Sequence, residues 1–238
     1  MSKNTINNFV DYFQKSLSKN FKSSNRQYNE KGEIVILDKL KLFDSTSHEE
    51  LNEITFSGLE QFDVCLFYPL GDNKKLGEVF TCFDAHYYPK TSDAILFMTD
   101  KNDVTNLFVL LIELKAGGIS GANKQMDTSK ILAEFLIKVG LLKDKINFTN
   151  PLKEITFVRT LFRTSENISN NSYSGFEINH TTIDFLDLNN SYPLDPLFPE
   201  VKTRYLTLAT PIYLPNNSNF NLHYFWSHSL QSANKRAK

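Results

Sequence analysis

The chain has 238 residues, 41% hydrophobic and 13% aromatic with 20 Phe, enough to bury a sizeable core and too apolar for an intrinsically disordered chain. Its formal net charge of -1 argues against a generic polyanion binder. No segment approaches the roughly 18 apolar residues of a membrane helix, "MSKNTINNFVDYFQKSLSKNF" lacks the apolar stretch of a signal peptide, and two cysteines cannot build a disulfide framework, so a cytoplasmic protein is expected.

Residues 4–20 place Ile6, Phe9, Val10, Phe13 and Leu17 at helical spacing, which predicts an amphipathic helix in a helical N-terminal segment over 1–40. That end is basic, with Lys3, Lys15, Lys19, Lys22, Arg26 and Lys31 against Asp11 and Glu30, as are Lys235, Arg236 and Lys238 at the other end. Both can touch phosphates, although solubilising termini are the plainer reading. "KGEIVILDKLKLF" fits a strand or the start of a helix. "FDVCLFYP" (62–69), "EVFTCFDAHYY" (78–88) and "DAILFMT" (93–99) are rich in aromatic and β-forming residues and predict strands.

After the polar turn "DKNDVTN", "LFVLLIELKAGG" (107–118) runs six apolar residues into Glu113-Leu114-Lys115 and two glycines, as in a strand buried on both faces. Ile131, Leu132, Phe135, Leu136 and Val139 then form a helical stripe, with Gly140 where a C-terminal cap belongs. "EITFVRTLF" (154–162) is a further strand and "TSENISNNSYSG" a loop. In the C-terminal extension (163–238), "RYLTLATPIYLP" and "FNLHYFWSHSL" predict two more strands, the second from the alternation of Phe220, Leu222, Tyr224 and Trp226. The pattern is one α/β domain with additions.

Charged side chains at the end of a buried run are costly unless paired, metal-bound or functional. If 93–99 and 107–118 form a hairpin with its turn near Asp103, residue 95 faces 111, 97 faces 109, 99 faces 107, and Asp93 faces Glu113 on one side of the sheet. Two carboxylates facing each other at about 5 Å repel unless a proton or a cation lies between them. A hard divalent ion such as Mg²⁺ suits carboxylate and carbonyl oxygens. Lys115, two residues on and on the same face, would then stand beside a metal-bound water, an arrangement able to hydrolyse a phosphodiester.

Asp93 followed by Glu113-Leu114-Lys115 on the next strand and then a helix resembles the PD-(D/E)XK nuclease superfamily, with the signature's proline displaced to Pro89. The resemblance spans about 78–162 and implies a restriction-endonuclease-like αβββαβ core with a mixed central sheet. It further implies Mg²⁺ (or Mn²⁺) held by Asp93, Glu113 and the carbonyl of Leu114, with Lys115 assisting the attacking water. Gln125 is a candidate for the polar residue that members carry on the following helix, and Glu50, Glu53 and Glu60 for a Glu supplied by a preceding helix. The activity implied is a metal-dependent endonuclease acting on DNA rather than RNA, as a homodimer or with a partner protein. Small stand-alone members often serve restriction or phage defence.

A binding or scaffold subunit that uses the fold without catalysis is the second reading, and a Glu113–Lys115 salt bridge at a solvated strand end is the plain structural one. "AGGISGANK" (116–124) lacks the spacing of a phosphate loop, and Cys82 with His86 lacks the second pair of a zinc site. Tyr224, Phe225 and Trp226 can stack on bases but at strand spacing suit a core.

Overall fold

The computed structural model describes residues 4–17, 22–24, 26–28, 34–36, 39–43, 53–69, 91–115, 121–142, 146–163, 185–187, 191–208, 212–213 and 218–227. Strand β1 (Asn4–Ile6) and helix α1 (Phe9–Ser16) lead into short strands β2 (Lys22–Ser24), β3 (Arg26–Tyr28), β4 (Ile34–Ile36) and β5 (Leu40–Phe43). Then come β6 (Glu53–Ser57), β7 (Phe62–Phe67), β8 (Ala94–Asp100) and β9 (Asp103–Lys115), followed by helix α2 (Ala122–Leu141). Beyond it lie β10 (Ile146–Phe148), β11 (Glu154–Arg163), β12 (Phe185–Asp187), β13 (Tyr192–Asp195), β14 (Phe198–Leu208), β15 (Ile212–Tyr213), β16 (Ser218–Asn221) and the short helix α3 (Leu222–Phe225). None of the described helices is long and apolar enough to cross a membrane.

A mixed sheet of nine strands forms the core, in the order β12-β14-β11-β9-β8-β7-β2, with β13 beside β14 and β15 beside β11. β7, β8 and β9 make an antiparallel meander, whereas β9, β11 and β14 run parallel. Adjacent parallel strands need a crossover connection, and α2 supplies it between β9 and β11. The expected register holds where Ile95 faces Leu111 and Phe97 faces Val109. It shifts between Met98 and Asp100, so Asp100 faces Asp103 across a turn at Lys101 and Asn102 rather than one centred on Asp103. β9 accordingly begins at Asp103, four residues before the apolar run.

Strand side chains alternate between faces, and each face has its own core. On one, Leu96, Met98, Phe108, Leu110 and Val158 pack against Ile54 and Phe56 of β6 and Phe220, Phe225 and Trp226 near the C-terminus. On the other, Ile95, Phe97, Val109, Leu111 and Phe157 pack against α1 and α2. Burial on both sides accounts for the unbroken apolar run of β9. Residues beyond 163 thus add β14 to the central sheet and aromatic side chains to its core.

The N-terminal helix is shorter than the spacing predicts. Residues 4–6 form β1, and Asn8 caps α1 by accepting the Asp11 N–H at 2.9 Å. The other regular elements among the described residues of 1–40 are short strands, so that segment is not helical throughout. "KGEIVILDKLKLF" contains β4 and β5. "FNLHYFWSHSL" is not one strand: β16 ends at Asn221, whose side chain accepts the Tyr224 N–H at 3.0 Å and starts α3. Leu222, Phe225 and Trp226 then reach the core at helical spacing, a pattern masked in the sequence by the alternation.

α2 is rotated relative to the expected stripe. Its buried side is Ala122, Met126, Ser129, Ala133, Ile137 and Gly140, while Ile131, Phe135 and Val139 face outward. Small residues let the helix lie close to its neighbours. A Cβ on Gly140 would stand 2.7 Å from Tyr12 Cε1 of α1, so Gly140 is a close-packing position inside the helix and not its cap. The expected strand 78–88, Pro89, Cys82, His86, Glu50 and the loop 164–175 lie outside the described residues, as does the side chain of Glu53.

Candidate active site

One step beyond the pair Ala94–Ile112, where β8 begins, stand Asp93 and Glu113. Alternation puts both on the α1–α2 side of the sheet, in line with Ile95 and Phe97 on one strand and Val109 and Leu111 on the other. Asp93 Oδ2 accepts the backbone N–H of Leu114 at 2.6 Å. The Glu113 side chain is 1% exposed, and its Oε1 lies 2.6 Å from the ammonium of Lys115, which is 25% exposed. A carboxylate this deep carries a desolvation penalty that only a close cation or several donors can offset. The pair therefore exists, but inside the protein and not at the solvated strand end that a plain surface salt bridge would occupy.

Gln125, in the first turn of α2, closes the group. Its Oε1 accepts from Lys115 Nζ at 3.2 Å, and its Nε2 donates to the carbonyl of Thr91 at 3.4 Å. The side chain thus joins the end of β9 to the segment that leads into β8. The structure brings Asp93, Glu113, Lys115 and Gln125 together, and it explains the convergence. The hairpin register sets the two carboxylates side by side, the period of β9 sets Lys115 beside Glu113, and the crossover returns the start of α2 over that end of the sheet. The helix starts at Gly121, whose φ of 81° suits glycine. Residues 116–120 of the glycine-rich segment lie outside the described residues.

Ser92 and Ser129 hold the Asp93 segment in place and carry no motif that sequence inspection would single out. The Ser92 N–H donates to Ser129 Oγ at 2.8 Å, the two hydroxyl oxygens lie 2.7 Å apart, and both residues are fully buried. The signal is an isolated Ser among the small residues of the buried side of α2, legible only once that side is known. Farther along, Arg159 of β11 pairs with Asp127 of α2, and the Tyr205 hydroxyl donates to Glu134 at 2.5 Å. Burial and the Glu134 carboxylate push that phenol above its usual range.

Other candidates lie elsewhere. Glu60 is exposed in the β6–β7 turn, where its carbonyl accepts from Lys101, at the opposite end of β8 from Asp93. Phe225 and Trp226 are core residues and offer no stacking platform. Burial pushes the Cys65 thiol up to about 12, which removes it as a nucleophile. Among the described residues no three His, Cys, Asp or Glu side chains gather as a ready-made metal cage. The oxygen donors at hand are two carboxylates and the Leu114 carbonyl, a set that suits Mg²⁺, which binds through one or two carboxylates and keeps waters and substrate oxygens. No protein-family model, curated protein or solved structure matches the chain.

Proposed function

We propose that the protein is a metal-dependent nuclease of the PD-(D/E)XK type that hydrolyses phosphodiester bonds, in DNA rather than RNA. The observation that carries the reading is the buried Glu113 carboxylate, in hairpin register with Asp93 and contacted by Lys115, itself held by Gln125. The element order supports it: a helix, a three-stranded antiparallel meander, a crossover helix and a strand parallel to the last of the meander, which is αβββαβ apart from the short strands between α1 and β7 and β10 between α2 and β11. A restriction or phage-defence role follows from likeness to small stand-alone members of that superfamily.

Asp93, Glu113 and the Leu114 carbonyl would hold Mg²⁺ or Mn²⁺, which when bound supplies a water of lowered pKa and a Lewis acid for the phosphoryl oxygen. Asp93 also fixes the Glu113–Leu114 peptide plane by accepting the Leu114 N–H, which steadies the backbone between the two site side chains of β9. The ammonium of Lys115 can orient the attacking water and stabilise charge developing on the phosphoryl oxygens. Gln125 holds that ammonium and is a positioning residue. Ser92 and Ser129 keep Asp93 at the strand end.

One observation favours a second reading, a catalytically silent scaffold subunit: Lys115 at 2.6 Å already neutralises Glu113 without a metal. Purified protein incubated with plasmid, single-stranded DNA and RNA, each with Mg²⁺, Mn²⁺ or EDTA, separates the two. Cleavage that needs metal and disappears in Asp93→Ala, Glu113→Ala and Lys115→Ala is the expected result. Cleavage that survives in the variants overturns the assignment. If no substrate is cut and neither metal raises the melting temperature of the wild type by more than it raises that of Glu113→Ala, the scaffold reading stands.

A further inference from the structure

Neither the site nor the fold uses the outer side of α2. The most exposed residues from 125 to 142 are all large and apolar: Ile131 at 67%, Phe135 at 57%, Val139 at 39% and Leu142 at 58%. They follow at steps of four, four and three residues, which places them on one line along three turns of helix. Scattered exposed apolar residues are ordinary, but a continuous line of this kind marks an interaction surface.

The charge around the line narrows the choice of partner. One flank carries Asp127, Lys130, Glu134 and Lys138, two acids and two bases that sum to zero. Each is engaged within the chain: Asp127 with Arg159, Glu134 with the Tyr205 hydroxyl, Lys130 over the Tyr205 ring at 3.7 Å, and Lys138 with Asp195 at 2.8 Å. With the exposed Lys124, two turns before Ile131, the outer side carries a single net positive charge, too little to recruit a nucleic acid or an anionic membrane or to select a strongly charged peptide. It fits a partner that is apolar along its centre and balanced at its rim.

We infer that the partner is a second copy of this chain, packed antiparallel through α2 about a two-fold axis at Phe135. The spacing is its own complement, because Ile131 lies four residues before Phe135 and Val139 four after. The two-fold sets Phe135 against Phe135 of the partner subunit and Ile131 against Val139 of the partner subunit. It also brings Lys138 to within about 3 Å, measured along the axis, of the level of Glu134 of the partner subunit. A chain of net charge -1 offers little long-range repulsion to its own copy. The interface stands whether or not the site cleaves nucleic acid.

Sedimentation equilibrium and light scattering across a dilution series test this. The wild type should read twice the 27.4 kDa monomer mass, and Phe135→Asp should read the monomer mass with an unchanged far-ultraviolet circular dichroism spectrum. In a Cys82→Ser background, a short bis-maleimide should join two copies of Phe135→Cys and leave Lys124→Cys single. That arm decides the matter if Phe135→Asp does not fold. A wild type that stays monomeric overturns the inference, as does a Phe135→Asp variant that remains a dimer. A monomeric wild type whose melting temperature falls on Phe135→Asp would assign the line to a segment of the same chain instead. A mass set by a different protein would give it to that protein.

Discussion

The β8–β9 hairpin carries a pair of carboxylates at each end, and the two ends treat them differently. At the turn, Asp100 faces Asp103. Asp100 accepts from the Gln61 amide at 2.7 Å and the Asn102 N–H at 2.8 Å, and Asp103, exposed, accepts from the Thr105 hydroxyl at 2.9 Å and the Asn106 amide at 2.6 Å. These donors are neutral and Asp103 stands in water, so the repulsion is softened and the acids act as turn-forming caps. At the other end Asp93 and Glu113 meet an amide and an ammonium, and Glu113 is sealed from water. Equal formal charges at the two ends therefore carry unequal stakes. Water solvates the Asp103 carboxylate, whereas that of Glu113 is held by Lys115.

The largest effect should come from removing the cation alone. Lys115→Met leaves the Glu113 carboxylate buried and uncompensated, which costs about 3–5 kcal/mol and should lower the melting temperature by roughly 6–20 °C for a chain of this size. Adding Glu113→Gln to that variant should recover most of the loss, since the uncompensated charge is gone. A double-mutant cycle measured by thermal or urea unfolding gives the coupling directly. If Lys115→Met melts within about 2 °C of the wild type, Glu113 is less sealed than its surroundings indicate, and the contrast between the two ends collapses. On activity, Glu113→Gln should reduce metal-dependent cleavage on the order of 10³-fold or more.

Ser129→Ala should have the next largest effect, because it strips the Ser92 N–H of its acceptor in a fully buried place. A cost of about 1–3 kcal/mol is expected, together with weaker cleavage through a loosened Asp93. Gln125→Leu should separate function from stability. The residue is half-buried and its bonds are 3.2 and 3.4 Å long, so stability should change by less than about 1 kcal/mol while cleavage falls on the order of 10-fold as the Lys115 ammonium loses its tether. Parallel losses in both quantities would make Gln125 a packing residue only.

Much of this hairpin was legible before folding because two rules act locally. The period of two fixed which side chains share a face, and the apolar run of β9 announced burial on both faces. The register at Ile95 and Phe97 followed even though the turn was misplaced, since the shift beyond Met98 absorbs the difference. Three things were hidden because they depend on distant partners. The rotation of α2 depends on α1, which sits against Gly140 and admits no Cβ there. α3 depends on the Asn221 cap, which outweighs four alternating apolar residues. The Ser92–Ser129 contact joins residues 37 positions apart and has no sequence signature. The candidate site residues were legible because hairpin and helix bring them together by short connections. The residues that steady them were not.

The smallest effect belongs to the turn end, and it makes the comparison quantitative. Asp103→Asn keeps one side-chain acceptor and gives up a charge that stands in water, so the remaining loss is confined to its bonds with Thr105 and Asn106. Stability should move by no more than about 0.5 kcal/mol and the melting temperature by about 2 °C or less, with no change in cleavage. Asp100→Asn should cost somewhat more, about 1 kcal/mol, because Asp100 is buried and accepts from two donors that the amide cannot both satisfy. Both losses should grow slightly in high salt, because Asp100 and Asp103 face each other and salt screens the repulsion that each substitution would otherwise relieve. The Lys115→Met loss should persist there, since salt does not reach a sealed carboxylate. Unfolding curves for the three variants at low and high ionic strength decide the point: if all three respond alike to salt, the carboxylates at both ends are equally wet, and burial is not what sets Glu113 apart.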